Sequence, residues 1–488
     1  MKALLISTYE LGRQPFGLAS PAAWLRQAGW DVDCVDLAKE PLPGELVASA
    51  ALVGVHLPMH TATRLAAPVI AKVRQLNPSA CLCAYGLYAP LNAEWLRSIG
   101  VHEILGGEFE EDLTAIARAL EARSLDAADA KGPPGTPPAS SPSSQSVHGP
   151  DPLGSGKMGS GKIPRLHFLV PDRRGLPPLD QYATLLMPDG SRRVVGSTEA
   201  SRGCKHLCRH CPIVPVYEGQ FRIVPPEVVL ADVDAQVAAG AQHMTFGDPD
   251  FLNGPTHAMR IVETLHAAHP SVSYDVTIKV EHLLQHRDLL GRLHDTGCVF
   301  VTSAVESVDD LTLERLAKGH TRVDFIEAVS LCRAAGVTLV PTFVAFHPWL
   351  TLAGYCDLLD TIESLDLVDH VAPIQLAIRL LIPQGSKVLA LDEVRAVVEG
   401  FDPMTLIHRW AHPDPRVDEL QREIAWLVGV RVGSDRQAVF DEISTLAHER
   451  AGLGRPAPRR TISRARVPYL SEPWYCCAEP NPEDVMLV

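Results

Sequence analysis

The chain has 488 residues and a formal net charge of −14, with 46% hydrophobic and 21% charged residues. This fits two to four globular domains, roughly, and excludes a disordered chain; the acidic balance also argues against a nucleic-acid partner, since phosphate binding needs a cationic field. No apolar run approaches the ~18 residues of a membrane helix, and Met1-Lys2-Ala3 leads into a strand-like stretch without a signal-peptide pattern, so a cytoplasmic protein that spans no membrane is expected.

In chain order, Ala3–Ser7, Val32–Leu37, Leu52–His56, Ala80–Tyr85 and Glu103–Gly106 read as short parallel strands. Helical patterns lie between them, as at Ser20–Gln27 and Thr61–Gln75, where Leu65, Val69, Ile70 and Val73 recur at helical spacing. This alternation predicts a doubly wound α/β domain over residues 1–122. Residues 123–163 read as a disordered linker, and from 131 onward Pro, Gly and Ser dominate. Its Gly156-Lys-Met-Gly-Ser-Gly161-Lys162 stretch imitates a phosphate loop, but Ile163 stands where Ser or Thr belongs and no strand precedes it.

Residues 164–200 read as an extended lead-in with a turn at Pro188-Asp-Gly190. Strands follow at His243–Gly247, Tyr274–Lys279, Cys298–Glu306, Thr338–Phe346 and His370–Ala377, separated by helices at Pro226–Ala239, His282–Asp295 and Asp324–Ala335. This spacing predicts a partial β/α barrel over 164–388. Residues 389–488 read as helical to about 451, then as a proline-punctuated extended tail. The basic run Arg455, Arg459, Arg460, Arg464 and Arg466 reads as a solvated connector.

The cysteines fall into three groups. Cys34, Cys81, Cys83, Cys298, Cys332 and Cys356 sit in apolar contexts and read as buried small hydrophobes. Cys204, Cys208 and Cys211 form a C-x3-C-x2-C array in Glu199-Ala-Ser-Arg-Gly-Cys-Lys-His-Leu-Cys-Arg-His-Cys, beside the first barrel strand. Three thiolates so close in sequence suit an iron–sulfur centre with one iron left open. A structural zinc site completed by His206 or His210, or three unrelated buried cysteines, are the alternatives. Cys476 and Cys477 lie together in Pro473-Trp-Tyr-Cys-Cys-Ala-Glu-Pro480. Adjacent cysteines close a strained disulfide, so free thiols suited to a soft centre are expected.

Residues 195–388 resemble the radical S-adenosylmethionine (SAM) superfamily through the C-x3-C-x2-C motif. The resemblance implies a [4Fe–4S] cluster on Cys204, Cys208 and Cys211, with SAM chelating the open iron and being cleaved reductively to a 5′-deoxyadenosyl radical. The cluster's electron would come from a donor such as flavodoxin or ferredoxin. His210 stands where the family has an aromatic near the adenine. Phe246-Gly-Asp-Pro-Asp250 matches the family's Gly-Gly-Glu element, so Asp248 or Asp250 would accept from the SAM ammonium. Ser303 and Glu306 would hold its ribose or carboxylate, and Lys279 or Arg379 would neutralise a carboxylate.

The preceding α/β domain resembles the cobalamin-binding radical SAM class in topology, although the D-x-H-x-x-G fingerprint is absent. It implies cobalamin at His56–Thr63, Gly86–Pro90 and Gly106–Glu108. The ending Cys476-Cys-Ala-Glu-Pro480 resembles the radical SAM family named for its CUAEP or CCAEP tail, which implies redox or soft-ligand catalysis by Cys476 and Cys477. Together these imply methyl or other group transfer to a small-molecule substrate. Two alternatives stand beside this: carbon–arsenic bond formation by aminocarboxypropyl transfer to trivalent arsenic on the tail thiols, and a non-catalytic iron–sulfur or cobalamin sensor.

Overall fold

The computed structural model describes residues 1–129, 166–431, 433–455 and 467–472. Strands β1 (Lys2–Ser7), β2 (Asp31–Asp36), β3 (Leu52–His56), β4 (Cys81–Tyr85) and β5 (Glu103–Leu105) make a fully parallel sheet in the order β2-β1-β3-β4-β5. The apolar runs of β1, β3 and β4 are buried on both faces, as parallel strands between helices require, while the edge strand β5 is half-buried and β2 carries three aspartates. Helices Phe16–Gln27 and Glu110–Asp129 cover one face through Leu18, Ala22, Leu25, Leu113 and Ala117. Helix His60–Leu76 covers the other with Ala66, Ile70 and Val73. The strand order reverses between β1 and β3, and ligands of such sheets bind beyond the carboxyl ends of the strands at that point.

The second sheet runs β13-β12-β11-β10-β7-β6-β16. Its members are β6 (Thr184–Leu186), β7 (Arg192–Thr198), β10 (His243–Phe246), β11 (Ser273–Thr277), β12 (Cys298–Glu306), β13 (Thr338–Phe343) and β16 (Tyr469–Leu470). The five from β7 to β13 are parallel, and β6 and β16 add antiparallel at the β7 edge. It is a curled half-barrel. The turn expected at Pro188–Gly190 joins β6 to β7, where Gly190 takes the left-handed conformation its lack of Cβ permits. A short ribbon, β8 (Ser201–Gly203) with β9 (Phe221–Ile223), brackets the cysteine segment. Thr321 and Asp324 close a capping box on helix Arg322–Ala334, satisfying two otherwise orphan donors.

Three expectations are corrected. His370–Ala377 is not a sixth strand: it folds as single turns at Val368–His370 and Pro373–Leu376, because Pro373 supplies no N–H for a ladder. Only the bridge Phe346–Arg379 extends the sheet there. The helix expected over His282–Asp295 is broken by a 3-10 turn at Arg287–Leu289. The region after 389 is not purely helical, because β14 (Val398–Asp402) and β15 (Ile407–Trp410) form a hairpin before helices Pro415–Val430 and Arg436–Ala451. Of the linker expected over 123–163, residues 123–129 continue helix Glu110–Asp129; its remainder from 130 and the Cys476–Cys477 pair lie outside the described residues.

The main core lies between the half-barrel and its helices, and Phe325 on helix Arg322–Ala334 is fully buried against Phe343 of β13, ring centroids 6.2 Å apart. Phe325→Ala removes that contact without freeing a polar group, so the barrel should lose about 3–5 kcal/mol. Urea unfolding followed by far-UV circular dichroism checks this, and a loss below ~1 kcal/mol would contradict the packing described.

Candidate active site

Residues 199–217 are built to turn inward. β8 ends at Gly203, whose φ of +73° puts it in the left-handed region, with the Tyr217 ring and the Gln220 carbonyl where a Cβ would stand. Cys204 therefore starts a loop that runs under the open mouth of the half-barrel and ends in the short helix Val214–Tyr217. All three cysteines, with His206 and His210, line one cavity of about 330 Å³, a size usual for ligand sites.

The other wall comes from the first domain. The carboxyl ends of β1, β3 and β4 and the segments that follow them contribute Leu11, Arg13, Phe16, His56, Met59, Leu87 and Tyr88. The cavity thus joins the carboxyl edge of the parallel sheet to the mouth of the barrel. His56 stacks on Tyr85 at 5.3 Å between centroids, and Gly17 and Gly86 leave room for its ring. His60 turns away, its Nε2 2.7 Å from the Thr405 carbonyl.

Burial pushes the Cys204 thiol up to about 12 and raises Cys208 against the pull of Lys318 and Lys279. Thiols so placed are poor nucleophiles by themselves, and a cationic metal centre reverses that preference. The donor chemistry fits a cluster with three protein ligands: three thiols on one short loop facing one cavity. Cys204, His206 and Asp250 also offer ligand atoms within 4.8 Å of one another. Asp250, however, already faces His282 Nδ1 at 2.7 Å and His206 Nε2 at 3.3 Å.

The other expected residues divide. Asp250 and Lys279 line the cavity, and the Lys279 ammonium stands 3.0 Å from Glu281 and 3.2 Å from His206. Asp248 does not line it: its carboxylate accepts from Ala200 N–H at 2.8 Å and Ser201 Oγ at 2.5 Å, tying β8 to the end of β10, and burial raises it to about 7. Ser303, within β12, is fully buried and does not line the cavity. Glu306 lies beneath the loop, 3.1 Å from His210 Nε2 and 3.3 Å from the Lys318 ammonium. Burial works against its charge, yet Lys318 and His210 hold it below the usual carboxylate range. His210 therefore pairs with an acid as well as facing the cavity. Arg379 is committed elsewhere, donating to Asp418 at 2.6 Å and the Trp410 carbonyl at 2.6 Å across the Trp410 ring. It does not line the cavity because the strand expected to carry it there does not form.

Sequence reasoning missed Lys318, Arg202, Arg13 and Tyr217, all cavity-lining. Arg202 alone carried a signal, being two residues before the first cysteine. Beneath the cavity the barrel is polar: His243 Nε2 lies 2.8 Å from Asp275, to which Thr245 Oγ1 donates at 2.6 Å. Leu185, Val195, Phe300 and Leu470 close the floor below.

Residues 198–361 match the profile of the Radical SAM superfamily. This segment is a radical SAM domain. A tRNA-2-methylthio-N(6)-dimethylallyladenosine synthase of Pelodictyon phaeoclathratiforme is 28% identical over 161 residues, 30% of this chain and 34% of its own. The bacteriochlorophyllide d C-8(2)-methyltransferase of Chlorobaculum tepidum is 24% identical over 209 residues, 40% of this chain and 44% of its own. The chain thus spans well under half of these curated relatives' length. Among solved structures, the cobalamin-dependent SAM radical enzyme OxsB, with aqua-cobalamin and SAM bound, superposes with a TM-score of 0.65 at 12% identity, covering 92% of this chain and 71% of its own. The radical SAM methyltransferase TsrM of Kitasatospora setae gives 0.56 at 17%, covering 75% and 71%. The likeness of fold to cobalamin-dependent radical SAM enzymes therefore extends well beyond the radical SAM domain, over 92% of the chain for OxsB. Among the described residues no helix is long and apolar enough to cross a membrane.

His320, next to the radical SAM domain's Lys318, is buried with neither ring nitrogen hydrogen-bonded among the described residues. Burial, then Lys318 and Lys279, lower it from 6.5 to about 4. The unfolded chain takes up this proton below pH ~6.5 and the folded chain only near pH ~4, so stability is whole above the first value and lost as pH falls through the second. Urea midpoints from pH 7 to pH 4 should drop, and His320→Leu should flatten the drop by on the order of 2–3 kcal/mol. Equal slopes would show that the imidazole is not held neutral.

Proposed function

We propose that the chain is a radical SAM enzyme that transfers a methyl group to a small-molecule substrate, with cobalamin held by the first domain. The observation that carries this is the single cavity lined both by Cys204, Cys208 and Cys211 and by the carboxyl edge of the parallel sheet. A radical SAM domain by itself needs no such wall. The similarity of fold to OxsB and TsrM supports the same reading.

In this reading Cys204, Cys208 and Cys211 would hold a [4Fe–4S] cluster with one iron free of a protein ligand. When bound, the cluster supplies the electron that cleaves SAM, and a small one-electron carrier such as flavodoxin or ferredoxin delivers it. Asp250 accepts from the SAM ammonium as an acceptor-only anion. Lys279 and Lys318 face the carboxylate, and His210, steadied by Glu306, lies on the adenine side. Asp248, Ser303 and Glu306 act by holding the loop and strand ends rather than by touching SAM. Leu11, Phe16, Met59, Leu87 and Tyr88 give the corrin an apolar bed that excludes water. The polar barrel interior at Thr277 and Asp275 receives the substrate.

The tail has a place in this reading. Ser471 pairs with Thr184 through its backbone at 2.9 Å, and Glu472 accepts from Tyr9 at 2.5 Å while lying against Gly12. Glu10, Leu11 and Arg13 of that same loop line the cavity. Cys476 and Cys477 follow Glu472 by four and five residues in the sequence. We therefore assign Cys476 and Cys477 a catalytic part as thiols acting at the cavity.

Anaerobically reconstituted protein should hold about four irons per chain and release 5′-deoxyadenosine or another SAM fragment with dithionite. Replacing Cys204, Cys208 and Cys211 together by Ala should abolish both. A fully loaded protein that leaves SAM intact would instead be a sensor. Cys476→Ser and Cys477→Ser should each stop methyl transfer while iron content stays at the wild-type level; turnover unchanged in both would remove the tail from the mechanism.

A further inference from the structure

The cysteine segment is gripped at both ends by the same turn of the first domain. Before it, Arg202 reaches Glu110 with two nitrogens, at 2.6 and 2.9 Å. Glu110 is the first residue of helix Glu110–Asp129, fully buried, and also accepts from Ser20 Oγ at 2.6 Å. The Arg202 Nε is taken by Glu199, and its guanidinium lies 5.2 Å from the Phe168 ring centroid, 5.8 Å from Phe109 and 5.9 Å from Phe16. After the segment, the Tyr217 ring packs where any side chain at Gly107 or Gly203 would collide with it. Gly107 and Glu110 thus meet the two residues that flank Cys204–Cys211, and Gly107, Phe109 and Phe16 line the cavity's first-domain wall.

A bidentate guanidinium–carboxylate pair fixes orientation as well as distance, and buried packing shifts between discrete arrangements rather than yielding gradually. We propose that Arg202 and Tyr217 are positioning residues: they lock the cysteine loop to the 107–110 turn, so that loading the loop with its cluster orders the first-domain wall of the cavity, and a ligand on that wall favours the loaded loop in return. Linkage makes the effect reciprocal. This rests on the cluster reading above and not on cobalamin binding.

Hydrogen exchange tests it on the full chain, before and after anaerobic reconstitution with iron and sulfide, using iron content as the control for loading. In the wild type, loading should slow amide exchange across 103–110 and 16–20 by about tenfold or more. In Arg202→Lys, which keeps the charge and loses the fork, and in Glu110→Gln, the slowing should fall below about twofold, with iron content and far-UV circular dichroism unchanged. Unchanged exchange in the loaded wild type, or full slowing in both variants, overturns the proposal. If the variants do not fold, the wild-type comparison decides alone. Failure to take up iron defeats the cluster reading, and this proposal with it; loaded protein without slowing defeats only the coupling.

Discussion

Arg202 is 7% exposed and Glu110 is fully buried, and each is the other's two-pronged partner. Removing one member of such a pair leaves an uncompensated buried charge and costs about 3–5 kcal/mol. Arg202 sits among three phenylalanine rings and two carboxylates, so the guanidinium has one way to stand. Burial alone would push the Glu110 carboxyl up, yet Arg202 outweighs it and holds the acid below its ordinary range. Glu199, half-buried beside the same guanidinium, is pushed up by desolvation to about 8. The arginine satisfies one acid fully, and the second takes what remains.

The active-site cavity follows from this constraint. A parallel sheet and a half-barrel each leave an open carboxyl edge, and each edge alone is a shallow crevice. The seam at 107–110 and 199–217 sets the two edges face to face, so the cysteines form one wall and Leu11, Met59, Leu87 and Tyr88 another. The half-barrel is closed from below by β16, whose Leu470 joins Leu185, Val195 and Phe300. That short strand also brings Glu472 to the loop after β1. A segment remote in sequence therefore braces the loop that carries Glu10, Leu11 and Arg13 to the cavity.

What could be read in advance was what lies close together in sequence. Short apolar runs such as Leu52–His56 and Cys298–Glu306 marked their strands, because buried parallel strands need no polar alternation. The three cysteines were legible because one loop carries them all. Arg202 and Glu110 are 92 residues apart, and Glu306 and His210 are 96 apart; pairings at that separation leave no periodicity to find. Lys318 was missed because it ends a short turn after helix Asp310–Arg315, where a lysine is ordinarily solvated. Arg379 was misplaced because the strand at His370–Ala377 was expected from the spacing of β/α units, Pro373 prevented it, and the arginine pairs with Asp418 instead. The β14–β15 hairpin was hidden because its residues are only half-buried and carry weak alternation.

The central claim is that Cys204, Cys208 and Cys211 ligate a cluster with one iron open to SAM. Mössbauer spectroscopy of protein reconstituted with 57Fe tests it most directly. The account predicts that adding SAM changes the isomer shift of one iron in about four and leaves the rest as they were. Four irons that ignore SAM, or a centre that holds no iron at all, would contradict it.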